Sequence, residues 1–169
     1  MSILHLRAEL IARTGNLKVM AVADYNTLPK HYKMWKKWRN KEDFQFLQVL
    51  PCRCGNSIDC TCEKNYFYRN KRWFFEEKYD LYISSPFKED EYIQNIDNPL
   101  YKFDKDIKVS FDKELSEEAL NLKKAAEKHF GSGLVKTSIK IAQVIATIEN
   151  HELVEKTDLL EALTFIPRK

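Results

Sequence analysis

The chain has 169 residues and a net charge of +3, and 44% of its residues are apolar. This length allows one domain, or a small domain with an appendage, and the balanced charge does not demand a nucleic-acid or membrane partner. The N-terminal apolar run is short and is interrupted by His5, Arg7 and Glu9, which is untypical of a signal peptide or a membrane span. We therefore expect a cytoplasmic protein with no membrane partner.

Helical and extended segments alternate in the first half of the chain. Residues 3–13 place apolar side chains on one helical face, and Gly15 with Asn16 is a helix stop signal. The apolar run LKVMAVAD, which ends at Asp24, predicts a buried strand, and the basic segment PKHYKMWKKWRNK predicts a helix. Two further strands are predicted in DFQFLQVL and in YDLYISSP, which Pro86 closes.

The second half of the chain is first polar and then helical. Residues 87–112 show no sustained period, so we interpret them as a linker or an extended excursion. Ser116 can cap a helix with two glutamates in its first turn, and Gly131 with Gly133 ends that helix. An apolar stripe predicts a long helix after it, and residues 157–163 predict a last one. The stripe consists of Leu134, Ile141, Ile145 and Ile148.

These segments predict the α/β fold class with three parts. Residues 1–86 carry a partial sheet of three strands with helices and a cysteine-rich loop, residues 87–112 form the linker or excursion, and residues 113–169 form a helical bundle.

All four cysteines lie in the segment 50–64, in the pattern C-x-C-x5-C-x-C. The loop between the two pairs is turn-prone, and four thiolates around one ion make the closed tetrahedral arrangement of structural zinc. A closed site leaves no position for a substrate, so the predicted role is structural. Reduced cysteines packed in a loop, or a redox or disulfide pair, are the alternatives. The predicted Zn²⁺ ligands are Cys52, Cys54, Cys60 and Cys62.

Two segments combine cations with aromatic residues, one around Trp35 and Trp38 and one beside Tyr66, Tyr68 and Trp73. Cations neutralise phosphates and aromatic faces stack on exposed bases, which is what binding of single strands requires. A helix with an aromatic core face and a solvated lysine face has the same composition, so both interpretations stay open. The candidate nucleic-acid contacts are Lys36, Lys37, Arg39, Arg69, Lys71 and Arg72.

The flanks of the cysteine loop resemble the magnesium-chelatase-like AAA+ ATPases, in particular the competence-protein ComM (YifB) branch. That branch has a Pro-Cys-Pro-Cys-Gly motif after its sensor-1 strand, a second Cys-x-Cys, a Tyr-Arg-rich helix and an Asp-Leu-containing strand. The corresponding segments of this chain are FLQVLPCRCG, CTC and YFYRNKRWFFEEKYDLYISSP. The segment IAQVIATIENHELVEKTDLLEAL is similar to the C-terminal end of the family. The resemblance covers residues 44–86 and 132–165. It implies a degenerate AAA+ core fragment followed by a lid-like helical domain.

The resemblance also implies which catalytic positions have changed. No G-x-x-x-x-G-K-[ST] loop exists in the chain, so we do not expect it to bind ATP alone. The candidate Walker B position Asp24 is followed by Tyr25, and Leu50 replaces the sensor-1 asparagine. Lys78 stands at the arginine-finger position and Lys136 at the sensor-2 position, each a point charge in place of a planar fork.

Three hypotheses about function follow. The leading one is a nucleotide-incompetent scaffold or binding protein with a structural zinc site that contacts DNA. The second is a split ATPase half that lends Lys78 and Lys136 to a P-loop partner chain in a DNA-processing ring, and the third is a small zinc module for single-stranded nucleic acid. The family sheet places its P-loop strand between the strands predicted in DFQFLQVL and YDLYISSP, and without it these two would flank an empty slot. Either the two strands repack directly or a partner chain fills the slot; a P-loop chain and further copies of this chain are the candidate partners.

Overall fold

The computed structural model of the protein describes residues 2–24, 44–49, 74–75, 78–84, 104 and 106–167. Within these ranges the fold is mixed α/β with helices predominating, so the predicted class is confirmed. In chain order the elements are helix α1 (Ser2–Gly15), strands β1 (Val19–Asp24), β2 (Phe44–Val49) and β3 (Leu81–Ser84), helices α2 (Glu117–Phe130), α3 (Ser132–Ile148) and α4 (Lys156–Ala162), and a 3₁₀ helix (Leu163–Phe165).

The strands form a parallel sheet in the order β2-β1-β3. Val19 is in register with Phe44 on one side and with Leu81 on the other. Each of the three predicted strand segments therefore contains a strand. The expected empty slot does not exist, because β1 itself lies between the other two strands and pairs its backbone with both of them.

Local capping signals set the boundaries of α2. The Ser116 Oγ atom accepts a hydrogen bond from the Ala119 backbone N–H at 3.2 Å, as predicted for an N-cap. Gly131, with φ of 88°, follows the last turn and donates its N–H to the Glu127 carbonyl at 3.0 Å. The prediction that Gly133 also ends this helix is wrong, since Gly133 is the second residue of α3. One residue with positive φ is enough to separate the two helices.

Two asparagines end helices through the same hydrogen-bond pattern. After α1, the Asn16 N–H donates to the Arg13 carbonyl at 3.4 Å and the Leu17 N–H donates to the Ala12 carbonyl at 2.9 Å. After α3, Asn150 occupies the equivalent position, and both asparagines have positive φ. This is the Schellman motif, in which the residue after the helix adopts the left-handed conformation that glycine and asparagine tolerate.

One apolar core joins the two halves of the chain. Ile11 of α1, Leu81 of β3 and Ile141 of α3 belong to the same buried cluster. The predicted stripe of α3 faces this core, with Leu134, Ile141 and Ile145 buried and Ile148 packed at its margin. Helix α1 packs so closely on α3 that a Cβ atom at Gly15 would lie 2.5 Å from the Val144 Cγ2 atom. The helical bundle is therefore packed against the α/β region within one core.

The described helices include no segment with the length and apolar character needed to cross a membrane.

Candidate functional site

The predicted zinc ligands and the six predicted nucleic-acid contacts lie outside the residues that the structure describes. They are Cys52, Cys54, Cys60, Cys62, Lys36, Lys37, Arg39, Arg69, Lys71 and Arg72. The helix predicted in PKHYKMWKKWRNK, Leu50 and the greater part of the predicted linker are outside as well. Within the described ranges there is no group of three or more histidine, cysteine or acidic residues arranged to hold a metal ion.

The carboxyl edge of the sheet brings together the ends of the three strands. Asp24, the last residue of β1, is in register with Val49, the last residue of β2, and Ser84 ends β3. Ligands of open parallel sheets bind at this edge, next to the point where the strand order reverses. Because the chain runs from β1 to β2 on one side and then to β3 on the other, that point lies between β1 and β3.

The amino edge of the sheet is organised around Asp80. Its Oδ2 atom accepts a hydrogen bond from the Lys18 backbone N–H at 3.0 Å, and its Oδ1 atom accepts one from the Lys140 Nζ atom at 2.9 Å. The backbone N–H groups of Asp80 and Leu81 both donate to the Lys18 carbonyl, at 2.9 and 3.0 Å. Asp80 therefore ties the starts of β1 and β3 to helix α3.

Lys78, which the resemblance predicts at an arginine-finger position, lies in the turn that leads into this edge. Its N–H donates to the Phe75 carbonyl at 3.2 Å, and the Tyr79 N–H donates to the Phe74 carbonyl at 3.1 Å. The pattern is the same Schellman motif that Asn16 and Asn150 make, with Lys78 at φ of 56°. A lysine in this left-handed conformation costs roughly 1–2 kcal/mol because its Cβ atom approaches the following carbonyl oxygen.

A cleft of about 390 Å³ opens beside Asp80, between the amino edge and helix α3. Lys136 and Lys140, one helical turn apart, line it together with the half-exposed ring of Phe111. The Nε2 atom of the lining residue Gln143 donates to the Lys113 carbonyl at 2.6 Å, and its buried Oε1 atom has no hydrogen-bond partner among the described residues. The cleft thus combines cations, an aromatic surface and a buried acceptor.

The structure therefore places Lys78 and Lys136 at the same edge of the sheet. Lys78 lies two residues before Asp80, and Lys136 lines the cleft beside it. Asp24, the candidate Walker B position, ends β1 at the opposite edge. Both lysines are exposed, and neither has a carboxylate partner within the described part of the chain.

A second polar cluster links α1 to the ends of α3 and α4. Arg7 donates from its Nε atom to Glu161 at 2.7 Å and from its Nη2 atom to Glu149 at 2.7 Å. Partial burial disfavours the charged guanidinium, but the hydrogen bonds and charges of Glu161 and then Glu149 outweigh it, so the pKa of Arg7 is raised. These hydrogen bonds connect α1 with the C-terminal ends of α3 and α4.

A third cluster caps helix α4. The carboxylate of Asp158 is buried and accepts hydrogen bonds from the Glu155 backbone N–H at 2.9 Å and from the His151 Nδ1 atom at 2.8 Å. The hydrogen bond to Asp158 raises the pKa of His151, partial burial lowers it, and the charges of Asp158, Glu155 and Glu149 raise it further, so the net shift is upward. The folded protein thus stabilises the imidazolium form of His151 relative to an isolated histidine.

Sequence reasoning missed Asp80, Lys140 and Phe111. Nothing in the local sequence pairs Asp80 with Lys140, because the two residues are far apart along the chain and meet only through the packing of α3. Phe111 falls in the segment interpreted as a linker, where a single aromatic residue gives no periodic signal.

Comparison with protein-family models, with curated proteins and with solved structures gives no match for this chain. The resemblance to the magnesium-chelatase-like ATPases therefore stays a hypothesis that rests on the quoted motifs.

Proposed function

We propose that the chain is a scaffold protein related to the magnesium-chelatase-like ATPases, which is held by a structural zinc site, does not hydrolyse ATP and contacts DNA. The observation that supports a scaffold related to these ATPases is the position of β1 in the sheet. It lies between β2 and β3, where the family has its P-loop strand, and the chain continues from it as DYNTLPK. No glycine occurs between Gly15 and Gly55, so the backbone N–H groups of a phosphate cradle have no glycine-rich loop to present them.

The position of β1 also bears on the split-enzyme alternative. A partner chain that supplied a P-loop strand would need the central slot, which β1 occupies. In the described sheet, the edges that such a partner could pair with are those of β2 and β3. The scaffold function is therefore the one that this topology favours, and an ATP-dependent complex with a P-loop chain is the outcome that would replace it.

The zinc site is proposed from the chemistry of its donors. Four cysteines in two Cys-x-Cys pairs supply four thiolates, which fill the coordination sphere of Zn²⁺ and leave no open position for catalysis. The segment begins directly after β2, whose last residue, Val49, pairs with the end of β1. Zinc held by Cys52, Cys54, Cys60 and Cys62 would fix the chain as it leaves the carboxyl edge and would contribute to folding stability.

Metal analysis and thermal melting test this function together. Protein purified without chelator is expected to contain about one equivalent of zinc and to melt at a lower temperature in EDTA. Cys52→Ser should lose the metal, whereas Asn56→Ala in the same loop should keep it. Zinc well below half an equivalent, or a melting temperature that EDTA does not change, would exclude the structural site.

The same melting experiment tests nucleotide binding. Magnesium-ATP is expected to leave the melting temperature unchanged, since a ligand stabilises a protein only in proportion to its binding to the folded state. A rise that increases with ATP concentration would contradict the nucleotide-incompetent function. ATP hydrolysis that appears when a P-loop chain is added would support the split enzyme instead.

A further inference from the structure

We propose that the amino edge of the sheet binds single-stranded nucleic acid, with phosphates against its lysines and bases against its exposed phenylalanines. The inference deepens the proposed DNA contact and rests on it, because it assigns that contact to described residues other than the six cations that the sequence predicted for it. The amino-edge surface consists of Lys18, Lys78, Lys136, Lys140, Phe75 and Phe111, arranged around Asp80.

The residues that define the amino-edge surface include four lysines and one aspartate. The carboxylate of Asp80 is already engaged by the Lys140 ammonium group and the Lys18 backbone N–H. Lys78 and Lys136 are exposed and have no carboxylate partner among the described residues. Their ammonium groups are available to an anionic partner, and phosphates bound there would release condensed counterions.

Two phenylalanines with exposed rings accompany these lysines, one in the Lys78 turn and one in the cleft. Phe75 is 47% exposed, and its carbonyl accepts the hydrogen bond of Lys78, while Phe111 is 44% exposed and lines the cleft with Lys136. Stacking of an unpaired base would remove these ring faces from water, and it tolerates any base because every base has a π-face. The combination of cations and exposed rings suits the phosphates and unstacked bases of a single strand, whereas a duplex keeps its base faces covered.

The conformation of Lys78 gives an independent indication. The equivalent position of the two other Schellman motifs is asparagine, a residue that tolerates positive φ, whereas this turn holds a lysine at φ of 56°. A strained conformation kept at the rim of a charged surface is typical of a functional position. We infer that the cation at Lys78 serves binding and not folding.

Two effects of opposite sign follow for Lys78→Gly. The glycine variant is expected to melt at a higher temperature than the wild type, because glycine adopts the left-handed conformation without strain. It is also expected to bind single-stranded DNA more weakly, because it lacks the ammonium group. Destabilisation cannot explain a loss of binding in this variant, so the substitution separates the two roles.

Binding can be measured by the fluorescence anisotropy of a labelled oligo(dT) of about 20 nucleotides between about 50 and 200 mM KCl. Lys136→Ala should lower the affinity severalfold and reduce the slope of log K against log salt by about 0.7, the value for one phosphate contact on a single strand. The matched control Lys124→Ala removes an exposed lysine of α2 and should leave both quantities unchanged.

Phe111→Ala should weaken binding about fivefold or more, and Phe111→Tyr should retain it.

The outcomes separate this inference from the proposed function. Wild-type affinity in Lys78→Gly, Lys136→Ala and Phe111→Ala, together with loss of binding when Lys36, Lys37 and Arg39 are replaced by alanine, would overturn the amino-edge surface and leave the DNA contact standing. Absence of oligo(dT) binding by the wild type even at the lowest salt would overturn both. Displacement of oligo(dT) by an equal concentration of a poly-glutamate peptide would assign the surface to acidic peptides and also overturn the inference.

Discussion

The α/β region, made of α1 and the three strands, and the helical region, which spans residues 106–167, differ in how their structure is determined. In the helical region, caps close in sequence define the elements, such as Ser116 for α2 and Asp158 for α4. In the α/β region, β1 is placed by strands that lie far along the chain on both sides. Local signals therefore specify the helices, whereas the order of the strands in the sheet depends on contacts between distant segments.

The two regions nevertheless share one core. Helix α3 packs on α1, and the 3₁₀ helix at the end of the bundle packs on β3. The apolar side chains of α3 would be left in water if the bundle separated from the sheet. We therefore expect the two regions to unfold together, and substitutions at their interface test this expectation.

Ile145→Ala should have the largest effect. Ile145 is 1% exposed and belongs to the core cluster that both regions share. Its truncation leaves a cavity, and we expect the free energy of unfolding to fall by about 2–5 kcal/mol. Urea unfolding followed by far-ultraviolet circular dichroism, which reports mainly on the helices, measures the change.

Tryptophan fluorescence of the same samples tests the shared core. All three tryptophans lie before residue 74, so their signal reports on the N-terminal half of the chain. The midpoints by fluorescence and by circular dichroism should coincide in the wild type and shift together in the variant. Leu120→Ala, at an aliphatic side chain that is 41% exposed, is the control and should shift both much less. Separate midpoints would contradict unfolding of the chain in one cooperative step.

Arg7→Met should have an intermediate effect. The substitution keeps an apolar stem but removes the hydrogen bonds to Glu161 and Glu149 that connect α1 with the ends of α3 and α4. The Glu149 side chain is 45% exposed, so water screens its contribution, and we expect a total loss of about 1–2 kcal/mol.

A double-mutant cycle with Glu161→Gln isolates the more buried of the two pairs. The coupling between Arg7 and Glu161 should be favourable and should shrink at high salt, because the charges are only partly buried. A coupling near zero would mean that the regions are joined by apolar packing alone.

The fold class, the strand segments and the apolar stripe of α3 could all be predicted from the sequence, because periodicity and capping residues are local properties. The strands that pair with β1 could not be predicted from the sequence, since the parallel partners of a strand depend on how the whole chain is connected. The cleft was beyond prediction for the same reason. The resemblance predicts a different role for Lys136, at a sensor-2 position, and Asp80, Lys140 and Phe111 come together only when α3 packs beside the sheet. The cysteine pattern remains a prediction that rests on spacing and donor chemistry.

The smallest expected effect is a pH dependence confined to the helical region. Because the folded-state pKa of His151 is raised above its ordinary value of 6.5, its contribution to stability is fully present below that value. The contribution is lost as the pH rises through the folded-state pKa, where the proton that favours the bond to Asp158 leaves. His151→Ala should therefore destabilise the protein more at about pH 5.5 than at about pH 8.5, by under about 1 kcal/mol, as for a partly exposed ion pair. The carboxylates of Glu155 and Glu149 act in the same direction.

Urea unfolding of the wild type and His151→Ala at both pH values measures this difference, and an NMR titration of the imidazole gives the pKa directly. Leu120→Ala, which truncates an exposed side chain of α2 that carries no titratable group, serves as the control and should follow the pH dependence of the wild type. An equal or larger cost of His151→Ala at alkaline pH would show that the imidazole acts in its neutral form. In that case the buried Asp158 carboxylate would be stabilised mainly by the Glu155 N–H, and α4 would be capped without help from the charge of His151.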